Sequence, residues 1–256
     1  MKAILLNLKN IFRWCLMPGI DHMTRRRVRL CKYWAREKRD VLDAGFGNGW
    51  FSYLAYRSGA RVLGVNMAQD QVQKAKNFYN GWRNIPTEQL EFLRLNLYDL
   101  DGLTSSFDEI ICYETLEHIK DDLEVCKEFY RLLKLGGVLH LCCPFAEHPR
   151  WKKESLDYKE KGGHVRAGYT LESYRALLEP LGFEIMETEG MGGRLLTKIV
   201  LMTQLIQSYL GNLCALPVAL LGIPFVWFDP VNAHNPYCLY VKAVKSERQR
   251  LSCAAS

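Results

Sequence analysis

The sequence predicts an α/β protein in which a mostly parallel sheet of seven strands carries helices on both of its faces. The main observation is an alternation of short apolar runs with segments of helical periodicity, which begins near residue 40 and is typical of parallel strands joined by helical crossovers. The length of 256 residues allows one large core with an inserted segment. The hydrophobic content of 48% and the charged content of 24% are those of a globular protein and argue against disorder.

The predicted elements follow one another in a regular order. The predicted strands are DVLDAGF, RVLGVN, LEFLRLN, FDEIICYE, GGVLHLCCP, FEIMETEG and PYCLYVKAV. Helices are predicted between them near 49–58, 68–83, 115–134 and 170–180. Two further helices are predicted ahead of the sheet, at about 3–16 and 24–37, with a break at Pro18 and Gly19 between them. Residues 1–37 are therefore predicted to form a basic amphipathic arm, and residues 38–256 the α/β domain.

A hydrophobic insertion over about 191–230 interrupts this order before the last strand. The stretch from Ile199 to Phe228 contains no charged residue over thirty positions, which is long enough to span a bilayer. Four helix-breaking residues lie within it: Gly211, Pro217, Gly222 and Pro224. We therefore favour a hydrophobic lid that covers the substrate site to a membrane-spanning helix, and such a lid could also contact a membrane.

The positive charge of the protein is concentrated near its N-terminus. Residues 1–40 contain eleven lysines and arginines against three acidic residues, whereas the net charge of the whole chain is +6. The cations next to the amphipathic helix are Arg25, Arg26, Arg27, Arg29, Lys32, Arg36, Lys38 and Arg39. They could bind anionic lipid headgroups, contact RNA, or form a solvated helix face. Because no RNA-binding motif accompanies them, we favour lipid docking or a solvated face and expect no nucleic-acid partner.

The nine cysteines do not follow a pattern typical of disulfides or metal sites. There is no CxxC pair and no His/Cys cluster at zinc-finger spacing, so no metal is predicted. Cys112, Cys142 and Cys143 lie in runs that are predicted to be buried strands. Free thiols indicate a reducing compartment, and we predict a cytoplasmic protein that could lie on the cytoplasmic face of a membrane. The sequence leaves the oligomeric state open.

The strongest functional signal is the segment VLDAGFGNGWF at 41–51. An apolar strand leads to Asp43, and Gly45, Gly47 and Gly49 follow before a helix begins. Glycine is required where the main chain turns tightly and lies against a ligand. The DxGxGxG spacing differs from the GxGxxG turn of dinucleotide-binding proteins. A carboxylate beside this loop suits a ligand with a cationic amine and a sulfonium better than it suits a pyrophosphate.

These residues resemble the first motif of the class I S-adenosylmethionine-dependent methyltransferases, and the resemblance covers roughly residues 38–190 and the final strand. The run FDEIICYETLEHI, followed by RLLKLGG, resembles the FD-x-I…LEH…LKPGG run of the small-molecule branch that includes the ubiquinone methyltransferases. The resemblance implies a Rossmann-like fold with S-adenosylmethionine as the cofactor. It also implies that the main chain of Gly45 and Gly47 holds the methionine part and that Asp43 orders the amine side.

Two positions depart from the common pattern of that family. Asn66 replaces the acid that usually binds both ribose hydroxyls. The stretch GVNMAQDQVQKAKNF instead resembles the sterol methyltransferases and cyclopropane fatty acid synthases, which use a glutamine five positions later, and Gln71 has that spacing. Asn96 stands where an aspartate commonly accepts from the adenine amino group, and an amide oxygen can accept the same bond. The resemblance implies these cofactor-binding residues: Asp43, Gly45, Phe46, Gly47, Gly49, Asn66, Met67, Gln71, Asn96 and Leu97.

The candidate catalytic residues lie at the carboxyl edge of the predicted sheet, where ligands bind in such folds. Glu114 and His118 follow the fourth strand and share a helix face, so that the carboxylate could raise the basicity of the imidazole. His164 and Tyr169 lie in the segment GGHVRAGYT, a loop that could close over a substrate. Both groups could equally be structural polar residues. A solvated face is predicted for the residues before this loop: His148, Arg150, Trp151, Lys152 and Lys153.

The function that these observations predict is methyl transfer from S-adenosylmethionine to the oxygen or carbon of a small acceptor. The apolar insertion and the basic arm favour a lipid-like, isoprenoid or saccharide-lipid acceptor met at a membrane surface. Such a transfer needs alignment more than acid–base help, and a base matters only where a hydroxyl must lose its proton. Two alternatives stay open: an RNA or protein methyltransferase that uses the basic arm, and a non-catalytic cofactor-binding domain that serves as a partner subunit.

Overall fold

The structure is a computed structural model, and it describes residues 2–19, 21–104, 107–153, 155–158 and 162–246. Residues 1 and 20 of the predicted arm and residues 247–256 of the predicted domain lie outside this part. The strands are β1 (Asp40–Ala44), β2 (Arg61–Asn66), β3 (Leu90–Arg94), β4 (Phe107–Tyr113), β5 (Leu133–Pro144), β6 (Phe183–Met191) and β7 (Cys238–Lys245).

The strands form one sheet in the order β3-β2-β1-β4-β5-β7-β6. Strands β1 to β5 pair in parallel, and β7 runs antiparallel to both of its neighbours. The α-helices of the described residues are α1 (Lys2–Leu16), α2 (His22–Arg27), α3 (Trp50–Arg57), α4 (Gln69–Ala75), α5 (Asp122–Leu132), α6 (Pro149–Lys152), α7 (Leu171–Leu178) and α8 (Arg194–Trp227). The predicted fold class, a Rossmann-like and mostly parallel seven-stranded sheet, is confirmed.

The second basic helix, predicted over 24–37, is shorter than expected. It begins at His22 because the carboxylate of Asp21 accepts hydrogen bonds from the main-chain N–H groups of the first turn. It tightens into a 3-10 helix over Val28–Tyr33 and then becomes extended. The prediction of one α-helix to residue 37 is therefore wrong.

Two of the crossover helices also change geometry within their predicted ranges. The helix predicted near 68–83 is α4 followed by a π-helix over Lys76–Trp82. The helix predicted near 115–134 is a 3-10 turn at Leu116–His118 and then α5. Apolar periodicity locates such segments but does not distinguish the three kinds of helical turn.

Side chains alternate between two hydrophobic clusters on opposite faces of the sheet. In β1, Val41 belongs to the first cluster and Leu42 to the second, as the two-residue repeat of a strand requires. The first cluster contains side chains of α2, α3, α4 and α8, and the second contains side chains of α5 and α7. Both faces are therefore covered, and the carboxyl ends of the parallel strands open at one edge of the sheet.

The predicted insertion forms a helical hairpin. By length and composition α8 is apolar enough to cross a membrane, and 22% of its apolar window is buried. However, it is broken at Gly211, whose φ of 83° and ψ of 173° are not helical. The second half (212–227) returns along the first half (194–210), since a Cβ on Gly222 would lie 2.7 Å from the Cγ2 atom of Ile199.

The two ends of this hairpin meet at a buried charged cluster. The carboxylate of Asp229 accepts hydrogen bonds from the N–H groups of Gly192 and Gly193, at 3.0 and 2.7 Å. It also pairs with Arg26, which in turn pairs with Glu189, both at 2.8 Å. Although burial alone would raise it, hydrogen bonds from Lys32 and Arg26 hold the pKa of Glu189 below its ordinary value. Both ends of the insertion are thereby tied to α2 and β6.

Part of the predicted basic face is buried in ion pairs. Arg26 belongs to the cluster at the base of the hairpin, Arg27 pairs with Glu114 at 2.8 Å, and Arg39 pairs with Glu109 at 2.5 Å. The expectation of a solvated or lipid-binding role is therefore wrong for these arginines. Each one meets a carboxylate from a strand or loop that is distant in the sequence, which helix periodicity does not reveal.

Candidate active site

The turn after β1 places three glycines in the left-handed region of backbone conformation. Their φ angles are 82° for Gly45, 54° for Gly47 and 77° for Gly49, values that side chains rarely allow. A Cβ on Gly45 would collide with the Oγ1 atom of Thr115, and one on Gly49 would lie 2.7 Å from the ring of Tyr79. A Cβ on Gly47 would meet no atom of the described residues within 4 Å. Gly47 therefore leaves main chain open to a ligand.

Gly47 lines a crevice of about 880 Å³ at the carboxyl edge of the sheet. Its walls come from the loops after β1, β2, β3 and β4. Six of the residues predicted to bind the cofactor line it: Gly45, Gly47, Asn66, Met67, Asn96 and Leu97. The candidate catalytic residues Glu114 and His118 line it as well. The topology thus brings the two predicted groups together around one cavity, which is the place where open α/β sheets bind ligands.

The other predicted cofactor residues lie behind or beside these walls. Phe46 is buried in an edge-to-face contact with Phe92, and Gly49 is buried. Gln71 is partly exposed in the first turn of α4. Asp43 is 3% exposed and accepts a hydrogen bond of 2.5 Å from Ser52. The roles of these residues toward the cofactor stay predictions.

Burial gives the Asp43 carboxyl an unusual charge state. Burial raises the pKa of Asp43 to about 7, against the opposing effect of the hydrogen bonds from Ser52. A carboxyl in this condition gains from a nearby cation, because a positive charge favours the ionised form. This behaviour is compatible with the predicted role of ordering a cationic amine.

The two asparagines at the adenosine end are held by main-chain hydrogen bonds. The Oδ1 atom of Asn66 accepts from the N–H of Ala68 at 2.9 Å, and that of Asn96 accepts from the N–H of Tyr98 at 3.2 Å. An amide oxygen has two lone pairs, so each can accept one further bond. The predicted acceptance from an adenine amino group at Asn96 is compatible with this orientation.

Glu114 adopts a backbone conformation that is rare outside glycine. Its φ is 51°, its N–H donates to the carbonyl oxygen of Cys142 at 2.8 Å, and its carboxylate pairs with Arg27 at 2.8 Å. Strained residues of this kind cluster at functional sites, where the surrounding structure imposes them. This conformation turns the chain at the end of β4, and Thr115 and His118 then line the crevice.

The imidazole of His118 is oriented by a main-chain carbonyl. Its Nδ1 atom lies 3.0 Å from the carbonyl oxygen of Gly163. Because a carbonyl only accepts, Nδ1 carries the proton of this bond and Nε2 keeps the lone pair. The ring of His164 meets the His118 ring edge to face, with 4.7 Å between centroids. The structure therefore brings His118 and His164 together, and Glu114 and His118 line the same crevice. The predicted shared helix face of Glu114 and His118 is wrong, because the 3-10 turn begins only at Leu116 and the carboxylate of Glu114 pairs with Arg27 instead.

Glu117 is a buried carboxyl next to this imidazole. Its Oε1 atom lies 3.9 Å from Nε2 of His118, and its side chain is fully buried. Burial raises the pKa of Glu117, and the neighbouring Glu114 carboxylate raises it further. Glu117, His118 and His164 also have potential ligand atoms within 4.8 Å of one another, so these are the residues that could hold a metal ion.

Tyr169 is not brought into this group. Its hydroxyl donates to Asp122 at 2.5 Å, and its ring stacks on Tyr174 within the second cluster. Arg166 pairs with the same aspartate and donates to the carbonyl oxygen of Ile119. The loop at 162–170 is thereby fastened to the start of α5.

An aromatic wall that the sequence did not predict lies beside the histidines. Trp151 lies 5.3 Å from the ring of His164 and donates to the carbonyl oxygen of Tyr237 at 2.8 Å. The prediction of a solvated face is wrong for His148 and Trp151, which are 8% and 7% exposed. The available signal was the tryptophan itself, since such a large apolar side chain in a polar stretch is seldom left in water.

The fold and the crevice define a class of protein. Residues 42–141 match the family described as "Methyltransferase domain", a range that contains the glycine turn and the segment from Glu114 to His118. The resemblance predicted from the sequence is therefore confirmed. Residues 42–141 of the chain therefore form a methyltransferase domain.

Two curated relatives are similar over this domain. The ubiquinone biosynthesis O-methyltransferase of Xanthomonas oryzae pv. oryzae is 35% identical over 102 residues, 40% of this chain and 41% of that protein. An uncharacterized methyltransferase of Schizosaccharomyces pombe is 30% identical over 112 residues, 42% of this chain and 39% of that protein. The match thus covers about two fifths of the length of each of these relatives.

Solved structures share the fold over most of the chain. Phosphoethanolamine N-methyltransferase 2 of Haemonchus contortus, in complex with phosphomonomethylethanolamine and S-adenosylhomocysteine, superposes with a TM-score of 0.63 at 17% identity, covering 88% of this chain and 53% of that chain. An S-adenosylmethionine-dependent methyltransferase from Mesorhizobium loti has a TM-score of 0.56 at 18% identity, covering 86% and 97%.

Proposed function

We propose that the protein transfers the methyl group of S-adenosylmethionine to the oxygen or carbon of a small, lipid-like, isoprenoid or saccharide-lipid acceptor. The observation that carries the proposal is the open main chain of Gly47 in a crevice that Glu114 and His118 also line. A side chain at Gly47 would occupy the space that a ligand needs. The similarity to ubiquinone O-methyltransferases supports a small acceptor.

The residues at the crevice are suited to a hydroxyl acceptor. S-adenosylmethionine, when bound, supplies an electrophilic methyl group on a sulfonium. Held against the open main chain of Gly47, it would supply this methyl group to the acceptor oxygen, and the electron pair of the broken carbon–sulfur bond would stay on sulfur. The hydroxyl proton passes to Nε2 of His118, which has the lone pair because Nδ1 donates to Gly163. Burial raises the pKa of the neighbouring Glu117 carboxyl, which favours its neutral form.

The wall beside the histidines supports an apolar acceptor. Trp151 and Tyr237 pack at 4.7 Å between ring centroids, and both belong to the cluster that includes Leu196 and Val200 of α8. An acceptor ring or chain resting on this wall would lie near His164 and His118. The role of α8 as a lid over the acceptor remains part of this proposal.

The alternatives differ in what they require of the arm. An RNA or protein methyltransferase would use the basic surface, but Arg26, Arg27 and Arg39 are buried and paired with carboxylates, which weakens this alternative. A non-catalytic partner subunit would bind the cofactor without consuming it.

The proposal is tested by incubating the full chain with methyl-labelled S-adenosylmethionine and fractionated cell extracts. We expect sustained formation of S-adenosylhomocysteine and label in a lipid-soluble product. Label only in water-soluble small molecules would contradict the lipid-like acceptor, and label only in RNA or protein would favour the first alternative. Cofactor binding without turnover in any fraction would favour the partner subunit.

The base is tested by His118→Gln, with His234→Gln as a control because His234 is an exposed histidine outside the crevice. We expect kcat to fall by roughly 10²- to 10⁴-fold with a hydroxyl acceptor, while the affinity for the cofactor changes little. The control should behave as wild type. Equal rates for the two variants would show that His118 takes no proton and would favour a carbon acceptor or alignment alone.

A further inference from the structure

The second half of α8 exposes an apolar stripe along its outer face. Exposed residues recur at helical spacing and include Leu213, Pro217, Leu221, Pro224, Trp227 and Phe228. Leu213, Leu221 and Trp227 are 83%, 74% and 74% exposed, so water meets most of each side chain. The stripe is about 24 Å long. Contiguous apolar patches of this size mark interaction surfaces on folded proteins.

The helix α1 presents a second apolar surface. Ile4, Leu5, Leu8 and Phe12 are each more than half exposed, and Trp14 anchors the end of the helix against α3. The chain after α1 enters a cleft of about 490 Å³ that is lined by Pro18 and Trp50 together with Ile223, Val226 and Trp227 of α8. The cleft therefore lies between the chain just after α1 and the end of α8.

Cationic side chains surround the same cleft. Arg25, Arg29 and Lys32 line it, and of these Lys32 is paired with Glu189 at 2.8 Å. Arg25 and Arg29 donate to the main-chain carbonyl oxygens of Leu16 and Asp229, at 2.9 and 3.0 Å, and these partners are neutral. Residues 1–20 contain cations and no acidic residue. An apolar surface bordered by positive charge is complementary to the acyl chains and phosphates of an anionic lipid surface.

The geometry points to one leaflet of a bilayer and not to a span. The Asp229 carboxylate holds both ends of the hairpin at one place, so a hairpin that enters a membrane must leave on the same side. The second half of α8, about 24 Å long, is shorter than the hydrocarbon core of a bilayer, which is roughly 30 Å thick. Trp227 lines the cationic cleft, and tryptophan is enriched at the interface between membrane and water.

A second copy of the chain is a poorer occupant of this surface. A symmetric dimer through the stripe would offer Arg25 and Arg29 no acidic partner, because neither residues 1–20 nor residues 199–228 contain an acidic residue. We propose that the outer face of α8 and the apolar side of α1 together dock the protein on a bilayer that contains anionic lipids. This inference is independent of the methyl acceptor and of catalytic activity.

The test is co-sedimentation of the full chain with phosphatidylcholine vesicles that contain or lack phosphatidylserine. We expect binding that is strengthened by phosphatidylserine and weakened by salt. The triple variant Leu213→Ser, Leu221→Ser and Trp227→Ser should bind roughly a hundredfold more weakly. The matched control replaces three exposed residues on other elements, Leu123→Ser, Leu135→Ser and Met186→Ser, and should bind as wild type.

A second measurement leaves the apolar side chains intact. Cys214 is exposed next to the stripe, and Cys15 is the other exposed cysteine among those described. In a Cys15→Ser background, an environment-sensitive fluorophore on Cys214 should shift to the blue when anionic vesicles are added. An unchanged spectrum together with no sedimentation would overturn the proposal. So would a dimer in light scattering that the triple variant dissociates while wild type ignores vesicles.

Discussion

One methyl group at Gly47 should separate ligand binding from folding in the turn after β1. In Gly47→Ala the backbone keeps a φ of 54°, which costs an L-residue about 1–2 kcal/mol. No steric cost is added, because the new Cβ meets no described atom within 4 Å. In Gly45→Ala the same strain is joined by the collision with Thr115, and overpacking adds about 1–3 kcal/mol. The free energy of unfolding should therefore fall by about 1–2 kcal/mol in the first variant and by about 2–5 kcal/mol in the second.

Gly47→Ala should also weaken the binding of S-adenosylmethionine. The methyl group of Gly47→Ala occupies crevice space, and an overlap of about 1–3 kcal/mol raises the Kd for S-adenosylmethionine by about 5- to 150-fold. Gly59→Ala is the matched control, since Gly59 has a φ of 97° with open space at its Cβ and lies outside the crevice. Calorimetric titration and chemical denaturation measure the two quantities. If Gly47→Ala bound the cofactor as tightly as Gly59→Ala, the crevice would not be the cofactor site.

Two further predictions concern buried charges. Arg39→Met should lower the free energy of unfolding by about 3–5 kcal/mol, because it leaves the buried carboxylate of Glu109 without its cation. Arg61→Met, which removes the exposed pair with Asp40, should lower it by less than about 1 kcal/mol. Similar losses for the two variants in urea denaturation would contradict the burial argument. The raised folded pKa of Asp43, about 7 against 3.8, contributes stability that is fully present below pH about 4 and is lost as the pH rises through about 7. Relative to Asp43→Asn, the cofactor-free wild type should lose stability between pH 5 and pH 8, and parallel pH profiles would show that this carboxyl is ionised in the folded protein throughout.

The cofactor half of the site could be predicted from the sequence because its signals are local. The positions of Gly45, Gly47 and Asn66 are set within single strand-to-helix turns, where spacing along the chain is also spacing in space. The catalytic half depends on pairs that are distant in sequence. Trp151 and Tyr237 are 86 residues apart, and the Arg27 partner of Glu114 comes from the arm. No periodicity records such pairs, so these residues were missed or taken as solvated.

The insertion shows the same division. The glycines and prolines of the apolar segment predicted a break in its helix, and the break occurs at Gly211. The direction of the returning limb could not be predicted, because it depends on contacts of Gly222 with Ile199 and His22 that only the folded arrangement creates. Helix periodicity likewise located α2 but not the burial of Arg26.

The closed base of the hairpin makes the pairing of β6 with β7 independent of what lies between them. Met191 and Cys238 are partners in that ladder, and the Asp229 carboxylate joins the chain just after one strand to the chain shortly before the other. Closing a longer or shorter connection changes the entropy only slowly with its length. A change of length at the far end of the hairpin, around Gly211, should therefore leave the register of β6 against β7 unchanged.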